Sequence, residues 1–185
     1  MKILKELSDS AETAAAYIKN GGVVIIPTDT IYGFSSIVGD GGKKIRQIKG
    51  RAETKPFIEL VDSVEAAKSI SNIEIPEKLL SCWPGPLTVI VPRKEELGGG
   101  TVALRCPGDE WLRKVISLTG RGIYSTSVNR SGNPPMLVIE DIIKEFESEV
   151  ALIVCDGDTE GGSASTLVDI SSGSIKVLRQ GDIKI

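Results

Sequence analysis

Short apolar runs alternate with helix-like segments along the whole chain, and this alternation limits the fold more than any other feature of the sequence. An Ala-rich stretch ending at Lys19, with Asp9 or Ser10 as its N-cap and Gly21 or Gly22 as its stop, precedes the strand-like run Val23 to Ile26. Pro27-Thr28-Asp29-Thr30-Ile31-Tyr32-Gly33 then reads as a polar turn, followed by a basic helix over 43–49. Further strands are expected over 57–61, 87–91, 102–105, 122–126, 151–154, 165–170 and 175–179. Asp62 and Glu65 stand at capping-box spacing before a helix ending near Ile70, and Pro76 opens another that leads to Cys82. Trp83-Pro84-Gly85-Pro86 breaks that helix, 94–101 reads as a mobile loop, Asp109 caps a helix to about Leu118, and a last helix covers 139–147. The expectation is an α/β fold: one twisted mixed sheet flanked by helices, in a single domain spanning 1–185. A hydrophobic content of 41% over 185 residues suffices for one such core.

Charge and composition then exclude several kinds of function. Lys plus Arg number 22 against 25 for Asp plus Glu, and a net charge of -3 argues against binding nucleic acid through bulk positive charge. Cys82, Cys106 and Cys155 are far apart and form no Cys-x-x-Cys pair, which suits reduced thiols. The opening Met1-Lys2-Ile3 lacks a secretory apolar core, and no run approaches membrane-spanning length, so a cytoplasmic protein is expected. There is no histidine, which removes Ser-His-Asp and Cys-His catalysis and every His-based metal site. Any catalysis would rest on positioning and on electrostatic stabilisation by Lys, Arg and a phosphate-bound metal.

Two tripeptides carry the chemical signal. Lys49-Gly50-Arg51 supplies two cations and Ser127-Val128-Asn129 two small hydrogen-bonding side chains, a combination suited to a phosphate with a hydroxyl or base edge beside it. Other roles remain open for the same residue types. Lys43, Lys44 and Arg46 fit a solvated helix face, Thr28 to Thr30 a turn and cap, and Ser125, Ser127 and Asn129 a strand end satisfying its backbone.

Taken in order, the Pro27 to Gly33 segment, Lys49-Gly50-Arg51, Lys55-Pro56, Trp83-Pro84-Gly85-Pro86-Leu87-Thr88, Val102 to Arg105 and Ser125 to Gly132 resemble the successive signatures of the YrdC/TsaC family. Ser165 to Asp169 and Arg179-Gln180-Gly181 extend the resemblance to nearly the whole chain. It implies an L-threonylcarbamoyladenylate synthase of the short single-domain type, a nucleotidyltransferase joining L-threonine, bicarbonate or CO2 and ATP into threonylcarbamoyl-AMP and pyrophosphate. It also implies a downstream threonylcarbamoyl transferase acting on tRNA, and a tRNA or double-stranded RNA contact. The family pattern puts L-threonine against Thr30, Arg105, Ser125 and Ser165, with Arg105 as the bidentate partner of its carboxylate. It puts ATP against Arg51, Lys55, Thr101, Ser127 and Arg179, with Asn129 beside them and Lys49 and Arg51 as charge-stabilising catalytic groups. Mg2+ would be held mainly by the ATP phosphates, with no protein metal site.

Departures from the pattern concern Leu60, where many members carry histidine, Pro135 in place of a serine, and Gln180 in place of a proline, a change expected to loosen the turn after Arg179. Two rival readings are a carbamoyl-adenylate-forming enzyme of hydrogenase-maturation type and a non-catalytic RNA-binding module using the basic residues of 43–55.

Overall fold

A computed structural model of the chain describes residues 1–52, 56–159 and 162–185. Along the described residues run β1 (Lys2–Leu4), α1 (Ser10–Lys19), β2 (Val24–Ile26), β3 (Gly33–Ile37), α2 (Gly41–Lys49), β4 (Ile58–Leu60), α3 (Val64–Ile70), α4 (Glu77–Leu80), β5 (Leu87–Pro92) and β6 (Thr101–Arg105). There follow α5 (Glu110–Thr119), β7 (Ile123–Ser127), α6 (Ile139–Phe146), β8 (Leu152–Cys155), β9 (Thr166–Asp169) and β10 (Lys176–Arg179). The ten strands form one mixed sheet in the order β1-β8-β2-β3-β7-β4-β6-β5-β9-β10, as the alternation predicts.

The period of two along each strand sorts side chains onto two faces. Val24, Ile26, Leu152 and Val154 point to one face, where α1 and α5 cover them through Ala14, Ile18, Leu112 and Val115. Their neighbours Val23, Ile25 and Ile153 point to the other, against Ile45, Ile48, Ile142 and Phe146 of α2 and α6. Farther along that second face, Val89, Val91, Val102 and Leu104 pack with Leu79, Leu80 and Trp83 around α3 and α4. Burying a leucine or isoleucine in this way contributes about 1.5–3 kcal/mol each. The second face is therefore covered from β8 to β9, while α1 and α5 cover the first only from β1 to the Leu60 end of β4. The uncovered remainder of that face holds the site.

Local differences from the sequence reading have physical causes. β3 was expected as the end of a turn followed by helix, because Gly33, Ser35 and Ser36 suit turns. All five residues of β3 are buried between β2 and β7, and smallness is required there: a Cβ on Gly33 would stand 2.8 Å from Ser125 Oγ. The cap of α3 is Ser63 rather than Asp62, since Ser63 Oγ accepts the amide N–H of Ala66 at 3.2 Å and donates to Asp62 Oδ1 at 3.0 Å. Pro76 precedes α4 at its N-cap position. Asp109 caps α5 as expected, accepting from the Leu112 amide at 3.0 Å. Segment 94–100 folds into a short 3-10 turn closed by the Arg93 amide on the Gly100 carbonyl.

Candidate active site

A cavity of about 300 Å³ opens on the uncovered face. Its floor is a row of cross-strand neighbours: Ser125 of β7 beside Ile58 of β4, Ile58 beside Ala103 of β6, and Ala103 beside Ile90 of β5. Leu167 of β9 continues the apolar part of the wall, and polar groups converge from both ends.

At one end stands Arg105, buried at the end of β6 with only 4% of its surface exposed. Its guanidinium donates to Asp29 through one terminal nitrogen and to Thr30 Oγ1 at 3.0 Å through the other. Asp29 Oδ2 accepts the Gly108 amide at 2.8 Å, which ties the β2–β3 turn to the start of α5. Thr28 Oγ1 accepts the amides of Thr30 and Ile31 and donates to the Ile31 carbonyl. With that proton committed, the 2.8 Å contact between the Thr28 and Thr30 hydroxyls has Thr30 as donor. Thr30 thus accepts from Arg105 and donates to Thr28, and its orientation is set by the turn.

Ser165 and Arg179 close this end. Ser165 Oγ lies 2.7 Å from Thr88 Oγ1, both hydroxyls buried. Arg179 donates to the Ser165 carbonyl at 3.0 and 2.8 Å and to Ser165 Oγ at 3.2 Å. Burial and the neighbouring charge of Arg105 lower the Arg179 pKa, as expected for two guanidinium groups sharing a cavity. Gln180 does not loosen the following turn: its amide donates to the carbonyls of Gly181 and Ile183 at 2.8 and 2.7 Å and fastens the C-terminal segment.

The other end is built on the C-terminus of α2. Gly50 caps it in the left-handed region at φ 61°, a conformation open to glycine, and this reversal separates the directions of Lys49 and Arg51. Arg51 reaches the cavity wall, donating to the Pro56 carbonyl at 2.8 Å and more weakly to Thr126 Oγ1 at 3.5 Å. Lys49, expected beside it as a phosphate ligand, lies outside the wall and only 2% exposed. Its ammonium donates to the Ser127 carbonyl, to the Asn129 carbonyl at 3.0 Å and to Asn129 Oδ1 at 2.7 Å. Burial, with the charge of Arg51, pulls the Lys49 pKa down to about 7, and burial with Arg46 nearby lowers that of Arg51.

Asn129 Oδ1 also accepts Ser127 Oγ–H at 2.7 Å, while its amide donates to the carbonyls of Arg130 and Asn133. The two tripeptides do meet, as one hydrogen-bonded unit of which Arg51 and Ser127 face the cavity. Arg130 bolts this unit to the helices, bonding Glu145 at 2.8 Å, Glu149 at 2.5 Å and the Ile48 carbonyl at 2.5 Å.

Of the expected site residues, Thr30, Arg51, Arg105, Ser125, Ser127, Ser165 and Arg179 line one cavity. Thr101 is exposed at the start of β6, on the face of Ala103 and Arg105 but beyond the wall. Lys55 lies outside the described residues. Leu60 is buried under α1 and α5 as the sheet neighbour of Arg105, and Pro135 gives the wall carbon surface in place of the serine of the family pattern. Sequence reasoning left Asp29 and Thr28 as turn residues and gave Thr88 no role. It also missed the apolar floor, although Ala103 two residues before Arg105 and Ile90 two after Thr88 are placed by strand period alone. Among the described residues no group of three or more His, Cys, Asp or Glu stands together to hold a metal.

With that geometry established, comparison with known proteins adds descent. A family model named for Sua5, YciO and YrdC and described as "Telomere recombination" matches residues 16–181. A threonylcarbamoyl-AMP synthase of Pyrococcus abyssi is 33% identical over 184 residues, which cover 93% of this chain and 54% of that protein. The crystal structure of P. abyssi Sua5 complexed with L-threonine superposes with a TM-score of 0.80 at 31% identity, covering 91% of this chain and 53% of the other. E. coli YciO shares the fold at a TM-score of 0.84 and 21% identity, covering 98% and 94% of the two chains. This chain spans about half the length of the P. abyssi synthase. The chain belongs to the Sua5/YciO/YrdC family.

Proposed function

We propose that the protein is an L-threonylcarbamoyladenylate synthase, with residues 1–185 acting as a single catalytic domain. The observation that carries this reading is the two-ended cavity. A buried Arg105 with hydroxyls at Thr30, Ser125 and Ser165 suits a small hydroxylated amino acid, and Arg51 with Ser127 suits a nucleotide phosphate. Its likeness to a fold that holds L-threonine in P. abyssi Sua5 supports the same assignment.

In this reading the threonine carboxylate pairs with Arg105, and the neutral threonine amine forms a bond to the carbon of CO2, opening one C=O π bond to a carboxylate and losing its extra proton to water. A carboxylate oxygen of the resulting carbamate then attacks the α-phosphorus of ATP, the bond to the β-phosphate bridging oxygen breaks, and pyrophosphate leaves. No protein nucleophile is required. Arg51 stabilises charge growing on the phosphates from the wall; Lys49 acts from behind it, by its charge and by holding Ser127 and Asn129. Arg179, already oriented by Ser165, stands with Arg105 rather than with Arg51. Mg2+ would be carried by the nucleotide phosphates and would neutralise their charge; Asp29, at the threonine end, is committed to Arg105 and Gly108. The product would pass to a threonylcarbamoyl transferase acting on tRNA, in the cytoplasm; no helix among the described residues is long and apolar enough to cross a membrane.

The test is pyrophosphate release from ATP by the purified protein, with L-threonine and bicarbonate omitted in turn. Release is expected to require both; indifference to threonine would contradict the assignment.

A further inference from the structure

We propose that Asp29 is a positioning and specificity-determining residue: acting through Arg105, it fixes the guanidinium and sets the charge of that end of the cavity so that it takes a carboxylate and rejects phosphate. The inference rests on the synthase reading above.

Asp29 does not line the cavity, whereas Thr28, Thr30 and Arg105 around it do. Its carboxylate is used at both oxygens, by a terminal nitrogen of Arg105 and by the Gly108 amide at 2.8 Å, so it cannot rotate to meet a ligand. Both members of the pair are withdrawn from water, with 5% of the Arg105 side chain and 16% of the Asp29 side chain exposed. With Thr30 on its other terminal nitrogen, Arg105 keeps a buried Nε without a hydrogen-bond partner among the described residues. Both terminal nitrogens of the guanidinium are thereby held by protein while the group still lines the cavity.

Arg105 and Arg179 share this end of the cavity, and the charge of Arg105 is felt at Arg179. Two guanidinium groups and one Asp29 carboxylate leave a single net positive charge. A substrate carboxylate neutralises it; a phosphate dianion would leave uncompensated negative charge in a poorly hydrated place. Without Asp29 the same two cations would match a phosphate and compete with threonine for polyanions that the reaction itself requires and releases. The Arg51 end, with no ion pair to Arg51 or Lys49 among the described residues, stays selective for phosphate. The sorting of carboxylate from phosphate between two cationic ends of one cavity is thus assigned to one aspartate.

Asp29→Asn tests this, because the amide oxygen can still accept the Gly108 N–H while the charge is gone. Threonine-dependent pyrophosphate release should show KM for L-threonine raised about 10- to 100-fold, the range expected for a hydrogen bond to a charged group, with KM for ATP unchanged. Calorimetric titration of inorganic phosphate should show a new site in the variant that saturating L-threonine abolishes, and no such site in the wild type. Asp29→Glu, which keeps the charge with a different reach, should still reject phosphate while remaining weaker for threonine. Parallel rises in both KM values, or phosphate binding identical in all three proteins, would overturn the proposal and leave Asp29 a turn residue. If the wild type releases pyrophosphate without threonine, the synthase reading fails separately, and the phosphate titration still decides the charge-setting role.

Discussion

The two ends of the cavity use cations in opposite ways. At the β6 end, Arg105 has a protein counter-charge, is pinned by Asp29 and Thr30, and lines the cavity. At the α2 end, no described carboxylate pairs with Lys49 or Arg51, and burial lowers the pKa of both. The first end is preorganised for a monoanion of fixed shape. The second holds uncompensated positive charge close to a hydrogen-bonded turn, which suits a polyanion that supplies its own neutralisation. In the proposed reading one sheet face holds an amino acid and a nucleotide side by side, each at the end whose charge matches it.

Breaking the α2 end should have the largest effect. Arg51→Ala removes the wall cation, and kcat for threonine-dependent pyrophosphate release should fall by a factor equivalent to about 2.7–4 kcal/mol of barrier, the usual cost of one preorganised donor. Unchanged turnover would remove Arg51 from the chemistry.

Lys49 offers a subtler test, through pH. Its ordinary value is 10.5 and its folded value about 7. Below pH 7 the ammonium is charged in both folded and unfolded chains, and the cost of burying it is borne in full. Between about 7 and 10.5 the unfolded chain binds a proton that the folded one does not, so stability rises with pH across that window and then levels. Urea midpoints of the wild type and of Lys49→Met should therefore diverge in favour of the wild type from pH 7 upward; a constant difference would mean that the three oxygens around Nζ hold the proton in place.

The smallest effect sharpens the β6 end. Thr88→Val leaves Ser165 Oγ with Arg179 as its remaining bonded neighbour in the described network. Loss of one neutral hydrogen bond costs about 0.5–1.5 kcal/mol, so KM for L-threonine should rise about 2- to 10-fold with KM for ATP little changed. Equal changes in both would place Thr88 in the fold rather than in the threonine subsite.

The contrast between the ends also separates what was legible in the sequence from what was not. Arg105, Thr30, Ser165 and Arg179 could be named from motif order, because each reaches the cavity directly from a strand or turn whose period places it. Lys49 could be named but not aimed: the left-handed Gly50 at the helix end turns it away from Arg51, and an ammonium satisfied by two backbone carbonyls leaves no trace in residue types. Asp29 was visible as a turn former, yet its partner lies 76 positions away. β3 was hidden because a central strand that must let Ser125 approach closely uses glycine and serine, the residues that elsewhere mark turns.

Equilibrium titration of L-threonine and of a non-hydrolysable ATP analogue into Arg105→Ala and Arg51→Ala decides whether the face carries two independent anion subsites. The prediction is a crossed pattern: Arg105→Ala loses L-threonine and keeps the nucleotide, and Arg51→Ala weakens the nucleotide and keeps L-threonine. Loss of both ligands in either variant, or of neither in both, would contradict it.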